Sequence, residues 1–282
     1  MLNRKKEVHE LMQLTPIQVV DRAGDHLIVC ENLDDFHHHF AESVASEIRN
    51  NNAKNTPTRL ILPVGPIGQY PILAEIINKE QLSLKYTWIF FMDEYCDEKG
   101  KALKVDHPLS FKRIAEEKFL SLIGEEHFQV FKRIFIPNEA NLEELSQKIE
   151  QIGGIDVCYG GIGIHGHLAF NEPAPDIANT DFRKVKLNDF TITINSIRAQ
   201  VGGDLENFPK EGFTIGMQQI LHSRKIRLYC RNGTSFDWAN AILRISLFGE
   251  PGDDYPVTHI RNHPDYQIIT DEDTLATPKN LL

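Results

Sequence analysis

No apolar stretch in this chain of 282 residues approaches membrane-spanning length. Residues 1–6 lead into polar sequence instead of a signal core, so the expected location is the cytoplasm. Basic residues number 30 against 40 acidic ones, which leaves a formal net charge of −10. Without a Lys/Arg stripe, such a chain is a poor binder of nucleic acid or anionic membranes. Cysteine is sparse: Cys30, Cys96, Cys158 and Cys230 are far apart and form no CxxC pair. That excludes a disulfide frame and points to reduced thiols packed as small hydrophobes. Cys96, three residues after Asp93, is likewise expected to be an inert packed thiol. Internal repeats, low-complexity tracts and linkers are all missing. A hydrophobic content of 41% with 25% charged residues argues against disorder.

What is present alternates. Short apolar runs at 26–30, 59–63, 86–92, 133–136, 155–159, 190–194, 226–230 and 266–270 predict strands. Amphipathic patterns at 33–50, 70–79, 108–123, 142–152, 214–221 and 235–248 predict helices. This order implies an α/β fold with a mainly parallel, doubly wound sheet flanked by helices. Residues 26–282 read as one domain, preceded by an extension over residues 1–25. Asn141 with Glu144 has capping-box spacing, and Gly153-Gly154 follows that helix. The segment 173–189 is expected to form a cover over the site.

Ligands of open α/β sheets bind at the carboxyl ends of strands, so chemistry is sought there. The run at 155–159 empties into Gly160-Gly161-Ile162-Gly163-Ile164-His165-Gly166-His167, followed by Glu172. Gly161 and Gly163 allow the backbone to approach a ligand closely. Three readings stand for His165, His167 and Glu172: acid/base work with Glu172 orienting His167, metal ligation, or a polar loop packed by its own hydrogen bonds. Asp93 and Glu94 close the run at 86–92, where apolar walls can raise a carboxyl pKa and make it a proton shuttle. The alternative is a turn or capping carboxylate. The loop 62–71 follows a strand and opens a helix, a phosphate-presenting topology. It offers Gly65 and Gly68, but Pro66 lacks an N–H and Val64 and Ile67 lack hydroxyls, leaving Gln69 and Tyr70 as its polar groups. His37-His38-His39 falls on a helix and reads as solvated surface.

Together, Phe91-Met92-Asp93-Glu94-Tyr95, His107-Pro108 with Ser110, residues 161–173, Asn195-Ser196 with Arg198, Thr214-Ile215-Gly216 and His263-Pro264 resemble the glucosamine-6-phosphate deaminase/isomerase family. The resemblance spans roughly two thirds of the chain, and its most specific word, His167-Leu168-Ala169-Phe170-Asn171-Glu172-Pro173, differs from the related 6-phosphogluconolactonases. It implies a Rossmann-like fold, no metal or other cofactor, and a sugar or sugar-phosphate ligand. A homo-oligomer accords with the family. Asp93 would shuttle a proton between C2 and C1, His167 would handle the ring oxygen with Glu172 as its partner, and Arg198 would hold phosphate. Glu94, Gly65, Gly68, Gly161 and Gly163 would line the substrate. Three features depart from the pattern: His165 replaces an aspartate, Val64, Pro66 and Ile67 replace hydroxyl and glycine residues, and Ser235 or Phe236 stands where a phosphate-binding lysine is expected. Three functions follow: an amino-sugar isomerase/deaminase, a catalytically weakened sugar-binding or regulatory homologue, and, ranked last, a lactone hydrolase.

Overall fold

The computed structural model describes residues 3–232 and 238–282, without the side chain of Phe128. Its strands are β1 (Leu27–Cys30), β2 (Thr58–Leu62), β3 (Thr87–Phe91), β4 (Asp93–Cys96), β5 (Ile134–Phe135), β6 (Val157–Gly161), β7 (Arg183–Lys186), β8 (Glu211–Thr214), β9 (Lys225–Tyr229) and β10 (Tyr266–Asp271). Its helices are α1 (Arg4–Met12), α2 (Pro16–Ala23), α3 (Leu33–Ala53), α4 (Gln69–Glu80), α5 (Phe111–Lys118), α6 (Leu142–Gln151), α7 (Asp189–Arg198), α8 (Met217–Leu221), α9 (Trp238–Phe248) and α10 (Glu272–Leu275). Among the described residues, seven strands form one sheet in the order β1-β10-β9-β6-β2-β3-β5, and every pairing in it is parallel. The expected α/β fold is the observed one.

Parallel strands covered on both faces read as continuous apolar runs, and here each run divides between two cores. Ile61, Phe90 and Cys158 join α6 and α9 on one face. Leu60, Leu62, Phe91, Val157 and Tyr159 join α3 and α4 on the other. Residues such as Leu60, Ile61 and Leu62 are fully removed from water, and each such side chain contributes roughly 1.5–3 kcal/mol.

Several elements differ from expectation for local reasons. Residues 190–194 lie in α7, not in a strand. Their alternating Thr and Ile mimic strand periodicity, but the Asn188 side chain accepts from the Thr191 N–H at 2.9 Å and starts a helix. The helix expected over 214–221 is split between β8 and α8. Gly216 makes that corner, since a Cβ there would sit 2.0 Å from the Thr180 carbonyl oxygen. Asn141 does not cap α6 with its side chain; its Oδ1 accepts from the Asn138 N–H instead. Gly153 and Gly154, both at positive φ, do end that helix. The segment 173–189 contributes β7 to a three-stranded antiparallel sheet, β4-β8-β7, so it is woven into the fold beside the site.

At the amino end, α1 and α2 pack on α9 and place Leu11 and Val19 in the same core. Thr15 and Gln18 form a capping box at the start of α2. Arg244 of α9 is wholly buried and donates to the carbonyls of Leu14, Asn240 and Leu275. It therefore ties α9 to the link between α1 and α2 and to the end of α10. Arg244→Ala should lower unfolding free energy by about 3 kcal/mol, read as a fall in the urea midpoint.

Candidate functional site

On one side of β2 in the sheet lie β3 and β5, and on the other lie β6, β9 and β10. The β2/β6 boundary is thus a topological switch point, where the loops leaving adjacent strands diverge and open a crevice. The loops after β2 and β6 meet there: a Cβ on Gly161 would lie 3.6 Å from the Gly65 carbonyl oxygen. The N–H groups of Gly65 and Gly68 donate to no described backbone carbonyl. Gly68 also precedes the first turn of α4. Gln69 and Tyr70, expected to offer polar atoms to a ligand, bond to the Pro66 and Pro63 carbonyls and hold the loop itself.

Asp93 begins β4 immediately beyond β3, at the carboxyl edge of the sheet. It is 7% exposed, and its carboxyl accepts no hydrogen bond from a described group. Burial, followed by the nearby Glu94 carboxylate, pushes its pKa up to about 8. Glu94 points to the opposite side, as alternate residues of a strand must. Its Oε1 accepts from the Tyr95 and Phe111 N–H groups, and its Oε2 from Lys112 N–H and the Ser110 hydroxyl, all within 2.8–3.1 Å. The expected substrate contact of Glu94 is therefore replaced by a structural one. It anchors the amino end of α5, where orphan N–H groups and the helix dipole favour a carboxylate.

The loop after β6 is shaped by close backbone contacts. The Gly163 N–H donates to the His167 carbonyl at 3.0 Å. A Cβ on Gly163 would lie 2.0 Å from His167 Nε2, so glycine lets the ring fold back over its own loop. Val257 N–H donates to the Gly166 carbonyl at 2.7 Å, and Gly166 takes φ +69°. Asn171 ties the loop to the β8 corner, donating to the carbonyls of Leu168 and Ile215. Burial, followed by the neighbouring His165 and Arg198, pushes the His167 pKa down to about 3. Its imidazole is neutral across the physiological range.

His167 and Glu172 are not hydrogen-bonded to each other. Glu172 Oε2 accepts from the Asn188 N–H at 2.8 Å, while its Oε1 and the Nδ1 atoms of both His165 and His167 are buried without partners. Such orphans are costly in a folded protein and mark places where a ligand or water can complete the bonding. His165 lies 6.3 Å from His167 between ring centroids and meets Phe190 edge-on at 4.8 Å. No three His, Cys, Asp or Glu side chains among the described residues converge as a metal-holding group, so the metal reading of this loop has no ligand set. Cys96 is buried, and that burial pushes its thiol up to about 11.

Arg198 ends α7, exposed at the mouth of the crevice, with its guanidinium 5.3 Å from the Trp238 ring centre. Two basic residues were not recognised in sequence. His37, expected to be solvated, packs against Gly68, where a Cβ would fall 2.2 Å from its ring, and its buried Nε2 has no partner. Arg231 follows β9 at the same edge and donates to the Asn232 carbonyl. A helix entered directly after β1 puts its first turn at the carboxyl edge, and that signal could have found His37. The expected phosphate-lysine positions, Ser235 and Phe236, lie outside the described residues.

Fold and site together define a doubly wound α/β protein with its candidate site at the sheet's switch point. No protein-family model matches the chain. It is nevertheless 32% identical to a glucosamine-6-phosphate deaminase of Caenorhabditis elegans over 206 residues, 72% of this chain and 74% of that relative. Over 257 residues it is 29% identical to the same-named protein of Thermoanaerobacter pseudethanolicus, covering 89% of this chain and 94% of the relative. A solved monomeric glucosamine-6-phosphate deaminase superposes with a TM-score of 0.75 at 25% identity, covering 88% of this chain and 98% of the other. The fold extends to a 6-phosphogluconolactonase of Shewanella baltica at a TM-score of 0.63 and 15% identity. The chain belongs to the glucosamine-6-phosphate deaminase family.

The raised Asp93 pKa has a consequence for stability. Its folded pKa of about 8 exceeds the ordinary 3.8, so the folded state holds a proton that the unfolded chain releases between those values. Stability is therefore lost as pH rises through that window. Asp93→Asn removes the titration. Its stability advantage should grow by up to about 1.4 kcal/mol per pH unit from pH 4 to 8, measured by urea denaturation at each pH.

Proposed function

We propose that this chain is an amino-sugar isomerase/deaminase that converts glucosamine-6-phosphate and water to a ketose phosphate and ammonia. The observation that carries the reading is Asp93: a buried carboxyl that accepts no hydrogen bond from the described residues, at the strand end beside the His167 loop. Family membership supports the same reaction and a sugar-phosphate substrate.

In the proposed sequence, neutral His167 relays a proton from the anomeric hydroxyl to the ring oxygen as the C1–O5 bond breaks. The orphan Glu172 Oε1 stands ready to accept a donor from the ring or substrate. The ionised Asp93 then takes the C2 proton, the C2–H electron pair forms the C1=C2 bond, and the aldehyde oxygen gains a proton. This gives an enolamine. Asp93 returns its proton to C1 as the nitrogen lone pair forms C2=N⁺. Water adds to C2, and ammonia leaves as the C2 carbonyl forms. A general base needs a pKa near the working pH, which desolvation supplies here.

A second reading, a sugar-binding homologue without turnover, draws support from His165. An imidazole there brings no negative charge to stabilise a protonated His167, whose pKa is depressed to about 3. The two readings separate on proton exchange at C2 in deuterated solvent.

With glucosamine-6-phosphate, ammonia release and C2 exchange should both be detected, and Asp93→Asn should lower kcat by at least about 10³-fold. Because Asp93 must be ionised in the free enzyme, kcat/KM should rise about tenfold per pH unit below pH 8 and level off above it. His167, neutral above about pH 3, should add no limb in that range. Folded protein that binds the sugar phosphate without exchange would instead establish the binding reading.

A further inference from the structure

An acidic chain that binds a phosphate dianion must supply local positive charge, and Arg198 is a single guanidinium. After Lys225 the next lysine is Lys279, so cations near the ends of β9 and β10 must be arginines. Of the four in that stretch, Arg227 is paired with Asp265 at 2.7 Å. Arg244 is buried on carbonyls, and Arg261 donates to the Gly249 carbonyl. Among the described residues, Arg231 alone of the four makes no ion pair or buried framework bond, although Asp271 lies near enough to favour its charged form. Its guanidinium donates to the carbonyl of the adjacent Asn232.

Position fits as well. Tyr229 packs edge-on against Phe36 of α3 at 5.2 Å. Arg231, two residues further, projects to the same side of the extended chain, towards the turn carrying His37. The ring of His37 lies against Gly68, whose N–H is free. Its Nε2 is buried and unpartnered. From the other flank comes Arg198, over the Trp238 ring at the start of α9. Desolvation and then the Arg231 charge lower the Arg198 pKa, and His37 is lowered by burial and by Arg231. Arg198, Arg231 and His37 thus stand at the carboxyl edge of the sheet, beside a loop whose Gly65 and Gly68 N–H groups donate to no described carbonyl, with Asp271 as a partial counter-charge; a bound anion would satisfy these donors.

We propose that Arg231 is the second cationic ligand, with Arg198, for the phosphate of the sugar-phosphate substrate, and that His37 Nε2 completes the anion's contacts at Gly68. The assignment rests on the function proposed above and names the residue that makes this site selective for phosphorylated sugars. A guanidinium is suited to the task, because it binds phosphate oxygens in a bidentate fork.

The test compares wild type, Arg231→Met and Arg231→Lys. Inorganic phosphate and glucosamine-6-phosphate should raise the melting temperature of wild type, whereas unphosphorylated glucosamine should not. Arg231→Met should lose most of that protection and raise the KM for glucosamine-6-phosphate by about 30- to 100-fold, with the smaller part of the loss in kcat. Arg231→Lys should recover part of both, which a fold defect in the methionine variant would not explain. Phosphate protection and KM unchanged in Arg231→Met would overturn the assignment, as would wild type unprotected by either anion. If wild type released no ammonia yet showed phosphate protection that Arg231→Met abolished, the reaction would fall and the anion site would stand. If wild type turned over and Arg231→Met matched it, the assignment alone would fall.

Discussion

Desolvation of the Asp93 carboxyl is the constraint around which the site is arranged. A carboxylate at a strand end normally finds N–H donors or water. Asp93 accepts from no described donor, and burial together with the adjacent Glu94 moves its pKa from 3.8 to about 8. The cost is borne by the fold: two apolar cores grip β3 from either face, and β4 continues it directly into the antiparallel sheet. Under the proposed reaction, the same desolvation that weakens the fold at high pH supplies a base near the working pH.

Neighbouring residues carry complementary duties. Glu94 satisfies the amino end of α5, so that helix needs nothing from Asp93. Gly163 admits the His167 ring against its own backbone, and Asn171 locks the loop to the β8 corner. Among the described residues, four of the unmade bonds lie at the candidate site, at Glu172 Oε1, His165 Nδ1, His167 Nδ1 and His37 Nε2, while others, such as Thr58 Oγ1 and Thr87 Oγ1, lie elsewhere in the fold. Charge follows the same division, with carboxyls at the β3 end and guanidiniums beyond β9 and α7.

Much of this was legible in the chain itself, because the physics was local. Continuous apolar runs gave the parallel strands, and the glycine loop after residues 155–159 marked the crevice. His167 and Glu172 stand on that loop, although the bond expected between them is absent because Glu172 is drawn to Asn188. What escaped the sequence depended on tertiary context. Residues 190–194 carry strand-like alternation that the Asn188 cap overrides. Glu94 looks identical in kind to Asp93 until α5 is packed against it. His37 reads as surface until α3 lays it on Gly68, and Arg231 gains meaning only when other arginines are seen to be engaged.

Asp93 should be protonated at neutral pH because burial disfavours its charged form. Carbon-13 NMR titration of the Asp93 carboxyl, assigned by comparison with Asp93→Asn, tests it without reference to turnover. The chemical-shift midpoint should fall near pH 8. A midpoint near 4, the ordinary aspartate value, would contradict it.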